Sequence, residues 1–214
     1  MSEPLLLALD TSTSTASVAL FDGQQVLSET TWRAGREHST RLLVEVEIAL
    51  ERVGRAPEQL SGLVVARGPG SFTGVRVALS VAKGIAGGFG LPAWGVSSLD
   101  VLAFAVGPTS LPVRAVLEAG RGRFATALYR AGRPVGTPRL ATTDELIALV
   151  TEETVVVGEL SGEARAQLEE VHRVRLATRA AGARRAGFLA EIGWQMARRG
   201  EPGDPRLLDA IYIT

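Results

Sequence analysis

The spacing of hydrophobic residues changes along the first hundred positions, and each spacing predicts a different element. Leu5–Leu9 is a continuous apolar run, which is typical of a central strand buried on both faces. Residues 16–21 and 25–32 show shorter strand patterns, and Asp22-Gly23 between them favours a tight hairpin turn. The chain is therefore predicted to open with three antiparallel strands.

A longer spacing follows these strands. Residues 37–53 carry apolar side chains three and four positions apart, which predicts an amphipathic helix. A buried strand at 63–66, a glycine-rich loop, a second apolar helix over 75–85 and a short strand at 92–96 come next. The order of predicted elements is βββαβαβ.

The second half of the chain opens in a similar way. A short helix is predicted after Ser97, followed by strands at 112–117 and 124–129 and a third strand that begins near Gly132. The later predicted elements are helix 143–150, strand 154–157, helix 162–171 and a long final helix over 183–199. This half is predicted to be an α/β unit as well.

These patterns divide the chain into two lobes. We predict a first βββαβαβ lobe over residues 1–98 and a second, diverged α/β lobe over residues 99–214. The final helix has two alternative positions, within the second lobe or packed back on the first. The residues after Gly200 and Pro202 are predicted to be extended.

Composition limits the chemistry that this chain can perform. Its 214 residues, 46% of them hydrophobic, are enough to bury a sizeable core. The chain has no cysteine for disulfides or thiolate sites, and its 2 histidines lie far apart without a clear carboxylate cluster beside them. The 23 basic and 23 acidic residues balance, so no overall field attracts RNA. Without a membrane-length apolar run or the basic start of a signal peptide, we expect a cytoplasmic protein.

The glycine-rich loop at residues 66–76 joins a buried strand to an apolar helix. Ser71 is the predicted N-cap, and unpaired N–H groups at this helix start would suit an anion or a loop of a partner. The loop does not match the Walker pattern, because the next basic residues are Arg76 and Lys83. The alternative is that its glycines only permit close packing. The local pattern leaves both interpretations open.

A basic cluster lies late in the chain. Its members are His172, Arg173, Arg175, Arg179, Arg184 and Arg185. These side chains could contact phosphates of an RNA, but no aromatic residues are interleaved with them to stack on bases. The more direct interpretation is a solvated surface.

Five spaced motifs occur in the first hundred residues. They are LALDTS at 7–12, REHS at 36–39, GPGSFTGVR at 68–76, AKG at 82–84 and GVSSL at 95–99. Together they resemble the bacterial TsaB (YeaZ) family, whose TsaD-binding role makes the first lobe the expected partner-binding lobe. Beyond Leu99, residues 118–122 (EAGRG) only approximate the Asp-Ala-Arg-Arg-Gly stretch of the family. The resemblance therefore covers the first hundred residues, and it favours a functional interpretation of the glycine loop.

The resemblance implies a two-lobed actin, Hsp70 and sugar-kinase (ASKHA) fold, an α/β fold with mixed sheets and flanking helices. This fold agrees with the order of elements predicted above. The resemblance also implies a part in forming threonylcarbamoyladenosine at N6 of the adenosine next to the anticodon in tRNA. In that system TsaD, a paralogous partner, transfers the threonylcarbamoyl group, TsaB-like chains bind and support TsaD, and the small ATPase TsaE joins them. We therefore expect a non-catalytic subunit that meets tRNA through the complex and forms a homodimer when alone.

The resemblance also directs attention to nucleotide and metal sites. The first hairpin keeps Asp10, Thr11 and Thr13 as a residual phosphate site, but it lacks the turn glycines of kinases with this fold. We expect no intrinsic cofactor, and at most weak or shared ATP or ADP with Mg at the TsaD interface. The alternative for Asp10 is a carboxylate that caps its own turn. A TsaD-like catalyst holds its metal with two histidines one helical turn apart, whereas His38 has Leu42 at that spacing, so no metal site is expected.

The helices that begin near Glu37 and Ser71 are expected to lie side by side and to form the partner interface. The residues assigned to this interface are Arg36, His38, Arg41, Leu42, Glu45, Val46, Ser71, Phe72, Thr73 and Arg76. Simple solvent exposure is the alternative for His38. If Leu42 and Val46 belong to the core instead, charging them would unfold the protein.

An enzyme is the alternative to a supporting subunit. It would be a peptidase of the glycoprotease type or a nucleotide-dependent small-molecule kinase. Ser71, Ser97 and Ser98 could serve as nucleophiles, but neither histidine lies near them in the sequence. Tight binding of ATP with magnesium to the isolated chain would favour the kinase.

Overall fold

The computed structural model describes residues 4–34 and 38–213, and the side chains of residues 38–40 fall outside this description. Two compact units are present. Unit 1 comprises Met1–Ser97 and Arg185–Ile211, and unit 2 comprises Ser98–Arg184 and Tyr212–Thr214. The final helix belongs to unit 1, which is the second of the two positions that the sequence allowed.

Each unit contains three consecutive strands, followed by helices that alternate with single strands. The strands are β1 Leu6–Asp10, β2 Thr15–Phe21, β3 Val26–Arg33, β4 Gly62–Ala66, β5 Ala93–Val96, β6 Val113–Glu118, β7 Phe124–Arg130, β8 Arg133–Ala141, β9 Thr154–Gly158 and β10 Val174–Leu176. The helices are α1 His38–Arg52, α2 Phe72–Phe89, α3 Ser98–Ala105, α4 Thr143–Ala148, α5 Gly162–Glu169 and α6 Ala186–Arg198. Single 3₁₀ turns occur at Pro57–Gln59 and Pro205–Leu207.

The sheet of unit 1 has the strand order β3-β2-β1-β4-β5. The first three strands are antiparallel, as predicted, whereas β4 runs parallel to β1 and β5 parallel to β4. Helices α1 and α2 cover one face, where Leu42 and Val75 join Leu7 and Leu9 in the core. Helix α6 covers the other face against β1, β2 and β4. The continuous apolar run of β1 is explained by this burial from both sides.

Unit 2 repeats this arrangement. Its strand order, β8-β7-β6-β9-β10, again has three antiparallel strands followed by two parallel ones. Helix α3 packs on one face, and α4 and α5 pack on the other. The covering helices are shorter, with 6 residues in α4 and 8 in α5 against 15 in α1 and 18 in α2. The ASKHA-like α/β fold with mixed sheets and flanking helices is confirmed.

Three features differ from the predictions. Strand β10 was not predicted, because its three residues follow the basic stretch and show no alternation of their own. The final helix begins at Ala186 rather than at 183. The residues after Pro202 are not simply extended, because a 3₁₀ turn forms there and Leu208 is buried in the core of unit 1. Within the part of the chain that the structure describes, no helix is long and apolar enough to cross a membrane.

Candidate partner-binding surface and glycine loop

The glycine loop packs directly against the turn between β1 and β2. A Cβ atom on Gly70 would lie 2.0 Å from the carbonyl oxygen of Ser12, and a Cβ on Gly74 would lie 2.0 Å from that of Thr11. The two segments are also hydrogen bonded, since Ser71 N–H donates to Ser12 O at 2.5 Å and Thr11 Oγ1 donates to Gly74 O at 2.7 Å. Only glycine permits this backbone approach, so close packing accounts for both glycines.

Ser71 caps helix α2, as predicted. Its side-chain oxygen accepts a hydrogen bond from Gly74 N–H at 3.2 Å, which satisfies one of the amides at the helix start. Ser71, Phe72 and Thr73 themselves are exposed. The first turn of α2 therefore exposes its side chains, while the Gly74 amide at the helix start is already hydrogen bonded to Ser71.

The predicted phosphate residues are all buried, with exposed fractions of 1% for Asp10, 0% for Thr11 and 6% for Thr13. Asp10 Oδ1 accepts hydrogen bonds from Ser12 N–H at 2.8 Å and from Ser12 Oγ at 2.6 Å. This is the geometry of the alternative interpretation, in which the carboxylate caps its own turn. The residual phosphate site stays a prediction.

Helix α1 does not present all of the residues assigned to the interface. Leu42 and Val46 are exposed by 0% and 6% and belong to the core of unit 1, and Glu45 is exposed by 8%. A side chain enclosed by its own unit cannot reach a partner, which corrects the assignment of these three residues. The apolar residues that α1 exposes are Leu43, at 48%, and Val44, at 47%. The apolar face predicted for α1 faces the core of unit 1 rather than a partner, which is the alternative that the sequence left open for Leu42 and Val46.

Arg41 lies on the surface but is held by its own unit. Its Nε is 3.1 Å from Glu45 Oε1, and its guanidinium lies 5.1 Å from the centre of the Trp32 ring. These two contacts orient the guanidinium, while 49% of the Arg41 side chain remains exposed. Arg36 lies outside the described residues, and so does the side chain of His38, whose backbone begins α1.

Phe72, the first residue of helix α2, has the highest exposed fraction of the aromatic residues in the described part of the chain. The exposed fraction of Phe72 is 56%, and the guanidinium of Arg76 stacks 3.6 Å from the centre of its ring. Stacking of this kind keeps an aromatic side chain in one orientation at the surface. We refer to the exposed residues Leu43, Val44, Phe72, Thr73 and Arg76 as the α1–α2 surface.

The members of the basic cluster with ion-pair partners are tied to their own units. Arg184 is fully buried, with Nη1 2.7 Å from Glu159 Oε1 in unit 2. Arg185 Nε donates to Glu29 Oε2 at 2.8 Å in unit 1. Arg175 Nε pairs with Glu153 Oε1 at 2.8 Å. The positive charges that an RNA contact would need are therefore already paired with carboxylates of the chain. The sequence could not reveal the pair of Arg185 with Glu29, because the two residues are 156 positions apart.

Comparisons with known proteins place this geometry in a family. A family model described as "TsaD: tRNA N6-adenosine threonylcarbamoyltransferase" matches residues 29–173. A TsaB protein of Bacillus subtilis, named as a tRNA threonylcarbamoyladenosine biosynthesis protein, is 37% identical over 125 residues, covering 58% of this chain and 55% of the relative. The TsaB protein of Escherichia coli is 41% identical over 98 residues, covering 46% and 42%. The chain belongs to the TsaD family and, within it, to the TsaB (YeaZ) members.

Solved structures agree with this family. A YeaZ protein from Pseudomonas aeruginosa superposes with a TM-score of 0.77 at 25% identity, covering 98% of this chain and 100% of that one. A second structure, described as similar to peptidase YeaZ from the same organism, gives 0.81 at 25% identity over 99% and 100%. A ROK hexokinase from Thermus thermophilus, at 15% identity and a TM-score of 0.53, shares the fold over 88% and 99% of the two chains.

The sequence matches are partial. The chain spans about half the length of the curated TsaB relatives that it matches, from 42% to 55% of the two described above. The family model also extends from β3 into unit 2, beyond the first hundred residues where the TsaB motifs lie. Membership in the family therefore includes both units.

Proposed function

We propose that this chain is a non-catalytic partner of a TsaD-like protein in the complex that transfers a threonylcarbamoyl group to N6 of the adenosine next to the anticodon in tRNA. The names of the TsaB relatives support the pathway. The observation that carries the partner role is the exposure of large apolar side chains on two adjacent helices of unit 1, above all Leu43, Val44 and Phe72. Exposed apolar residues grouped on one surface mark sites of protein association.

The α1–α2 surface suits a partner with the same fold. Helices α1 and α2 contact one another on one face of the sheet, and a paralogue would present the equivalent pair. A surface that recognises its own counterpart also permits self-association. We therefore expect the free chain to form a homodimer through this surface, and the TsaD-like paralogue to compete with the second copy.

In the part of the chain that the structure describes, the side chains that a metal-dependent catalyst needs are not grouped. Leu42 stands one helical turn after His38, where a TsaD-like catalyst has its second histidine. Its side chain is aliphatic and buried in the core, so it cannot bind a metal. Among the described residues, no three His, Asp or Glu side chains are placed so that they could hold a metal ion. These observations support a division of labour in which the TsaD-like partner supplies the catalytic groups.

Enzymatic alternatives find no favourable geometry in the described loop and hairpin. Ser71 Oγ, a candidate nucleophile for a peptidase, serves as the cap of α2. Asp10, a candidate phosphate or magnesium contact for a kinase, is bonded to Ser12. We propose instead that any ATP or ADP is bound weakly or shared with the partner, and that a TsaE-like ATPase and tRNA join through the cytoplasmic complex.

Multi-angle light scattering of the chain with and without the TsaD-like paralogue tests this proposal. The proposal predicts a dimer for the chain alone, and a heterodimer of one copy of each protein when the two are mixed. Independent elution of the two proteins at concentrations well above micromolar would contradict it. Titration of ATP with magnesium into the isolated chain is the control, because tight binding there would favour the kinase.

A further inference from the structure

Arg114 is a buried cation in the middle of the sheet of unit 2. Only 7% of the residue is exposed. Its Nη2 donates to the carbonyl oxygen of Leu149 at 3.2 Å, whereas its Nε donates to no acceptor in the part of the chain that the structure describes. A buried guanidinium normally pairs with a carboxylate and fills its hydrogen bonds, because a buried charge without a partner destabilises the folded chain.

A second arginine, Arg139, lies on the same face of this sheet. On β6, Arg114 lies two positions before Val116, so both side chains are on the same face of the sheet. Val116 is the cross-strand partner of Thr126 on β7, and Thr126 is the partner of Arg139 on β8. Cross-strand partners share a face of the sheet, so both arginines lie on the face that α4 and α5 cover. Burial lowers the pKa of the Arg114 guanidinium below its ordinary value, and the positive charge of Arg139 lowers this pKa further. No carboxylate among the described residues forms an ion pair with either arginine.

A cavity of about 290 Å³ opens beside Arg139. It is lined by Arg139, Leu140, Ala141, Glu145, Ala148 and Leu149. Leu149 connects Arg114 to the cavity, because its carbonyl oxygen accepts the hydrogen bond from Arg114 and the residue also lines the cavity. The carboxylate in the lining, that of Glu145, is directed to the start of α4, where Oε2 accepts from Thr142 N–H at 2.7 Å.

The short helix α4 explains why the cavity exists. With 6 residues it covers less of its sheet than α1 does in unit 1, and most of β8 is exposed, including Val135 at 45%. The cavity lies at the border between the covered and uncovered parts of this face. A small ligand can therefore reach Arg139 from solvent while Arg114 remains behind the wall.

We propose that this cavity binds the phosphate group of a small molecule, with Arg139 as the direct contact and the buried charge of Arg114 as the source of attraction behind it. A guanidinium offers two parallel N–H donors that match two phosphate oxygens. An anion at this point would also offset the unpaired charge of Arg114. The site consists of residues of unit 2 alone, and the proposal does not depend on the proposed function.

Thermal unfolding of the full chain in inorganic phosphate tests the proposal, with sodium chloride added to keep the ionic strength constant. Phosphate is expected to raise the melting temperature saturably. Arg139→Gln, an exposed substitution, should weaken phosphate binding by about tenfold or more. Arg133→Gln is the matched control, because it removes the same charge from the same strand outside the cavity lining, and it should bind phosphate as the natural protein does.

Arg114→Met provides a second readout. The apolar side chain replaces a buried unpaired cation, so the melting temperature without phosphate should stay the same or rise, and the increase caused by phosphate should disappear. If this variant does not fold, the comparison of Arg139→Gln with Arg133→Gln still tests whether phosphate binds at the cavity. No increase beyond that of sodium chloride, equal losses in both exposed variants, or stabilisation by an RNA oligonucleotide but not by phosphate would overturn the proposal.

Discussion

Leu42 and Leu43 are neighbours in α1, yet Leu42 is fully buried in the core of unit 1 whereas 48% of Leu43 is exposed. One helical position thus separates a residue that stabilises the fold from one that can contact a partner. The two leucines form a natural pair of probes, because the same substitution should affect folding at one position and association at the other.

Leu43→Glu should weaken association with the TsaD-like paralogue by at least about tenfold while changing the melting temperature little, because an exposed charge costs the folded chain almost nothing. Leu42→Glu should destabilise the chain by more than the roughly 3 kcal/mol typical of truncating a buried leucine. Calorimetric titration and thermal melting measure the two effects. Val135→Glu, at an exposed apolar position of unit 2, is the control for added charge and should leave association unchanged.

Two glycines of α2 should respond to alanine with opposite signs. A Cβ on Gly74 would meet Thr11 O at 2.0 Å, whereas a Cβ on Gly87 would meet nothing within 4 Å. Gly74→Ala should therefore cost at least about 2 kcal/mol of unfolding free energy, and Gly87→Ala should add up to about 1 kcal/mol through higher helix propensity. Urea unfolding followed by circular dichroism distinguishes them. Equal effects would contradict the packing of the glycine loop against the first turn.

Arg184 and Arg185 should differ in their contribution to stability. The Arg184 side chain is 0% exposed and pairs with Glu159, so Arg184→Gln should cost about 2–3 kcal/mol, because it removes a charge-assisted hydrogen bond from a fully buried side chain. Arg185 is 55% exposed, and Arg185→Gln should cost less than about 1 kcal/mol. Denaturant unfolding of both variants checks this difference. A small effect at Arg184 would show that its ion pair is not formed.

The same ion pairs predict how tRNA binding depends on salt. Because Arg185 is paired with Glu29, it is not expected to release a counterion when the assembled complex binds tRNA. Arg185→Gln should leave the slope of log affinity against log salt unchanged. A slope reduced by about one would identify a phosphate contact at this residue.

Stability should fall at high pH because of Tyr129. Its hydroxyl donates to Asp100 Oδ1 at 2.6 Å, and burial, followed by the negative charge of Asp100, raises the pKa of Tyr129 above its ordinary value. The unfolded chain loses this proton at about pH 10, whereas the folded chain keeps it, so the unfolding free energy decreases by about 1.4 kcal/mol per pH unit above that point. Tyr129→Phe should remove this part of the dependence, as denaturant unfolding between pH 9 and 11 would show. Tyr212→Phe should retain it.

Much of the fold followed from local patterns in the sequence. The apolar run of β1, the hairpin at Asp22-Gly23 and the cap at Ser71 each depend on neighbouring residues, and each forms where predicted. Strand β10 was missed because three residues are too short to show a period, and its pairing with β9 is a tertiary contact.

The candidate surface was predicted less accurately, for a physical reason. Periodicity indicated that α1 is amphipathic, but the residues that fill the core depend on how the helix is rotated on its sheet, and this rotation placed Leu42 inside. The Arg184 and Glu159 pair, like the cavity near Arg139, joins residues from separate elements. No local pattern could have indicated them.

Threonylcarbamoyl transfer to tRNA tests the central claim most directly. The assay compares this chain alone, the TsaD-like paralogue alone, and both together, each with tRNA and a threonylcarbamoyl donor. The account predicts no transfer by this chain, and transfer by the paralogue that rises when the natural chain is added but not when Leu43→Glu is added. Transfer by the purified chain alone, or a paralogue whose activity is indifferent to it, would contradict the account.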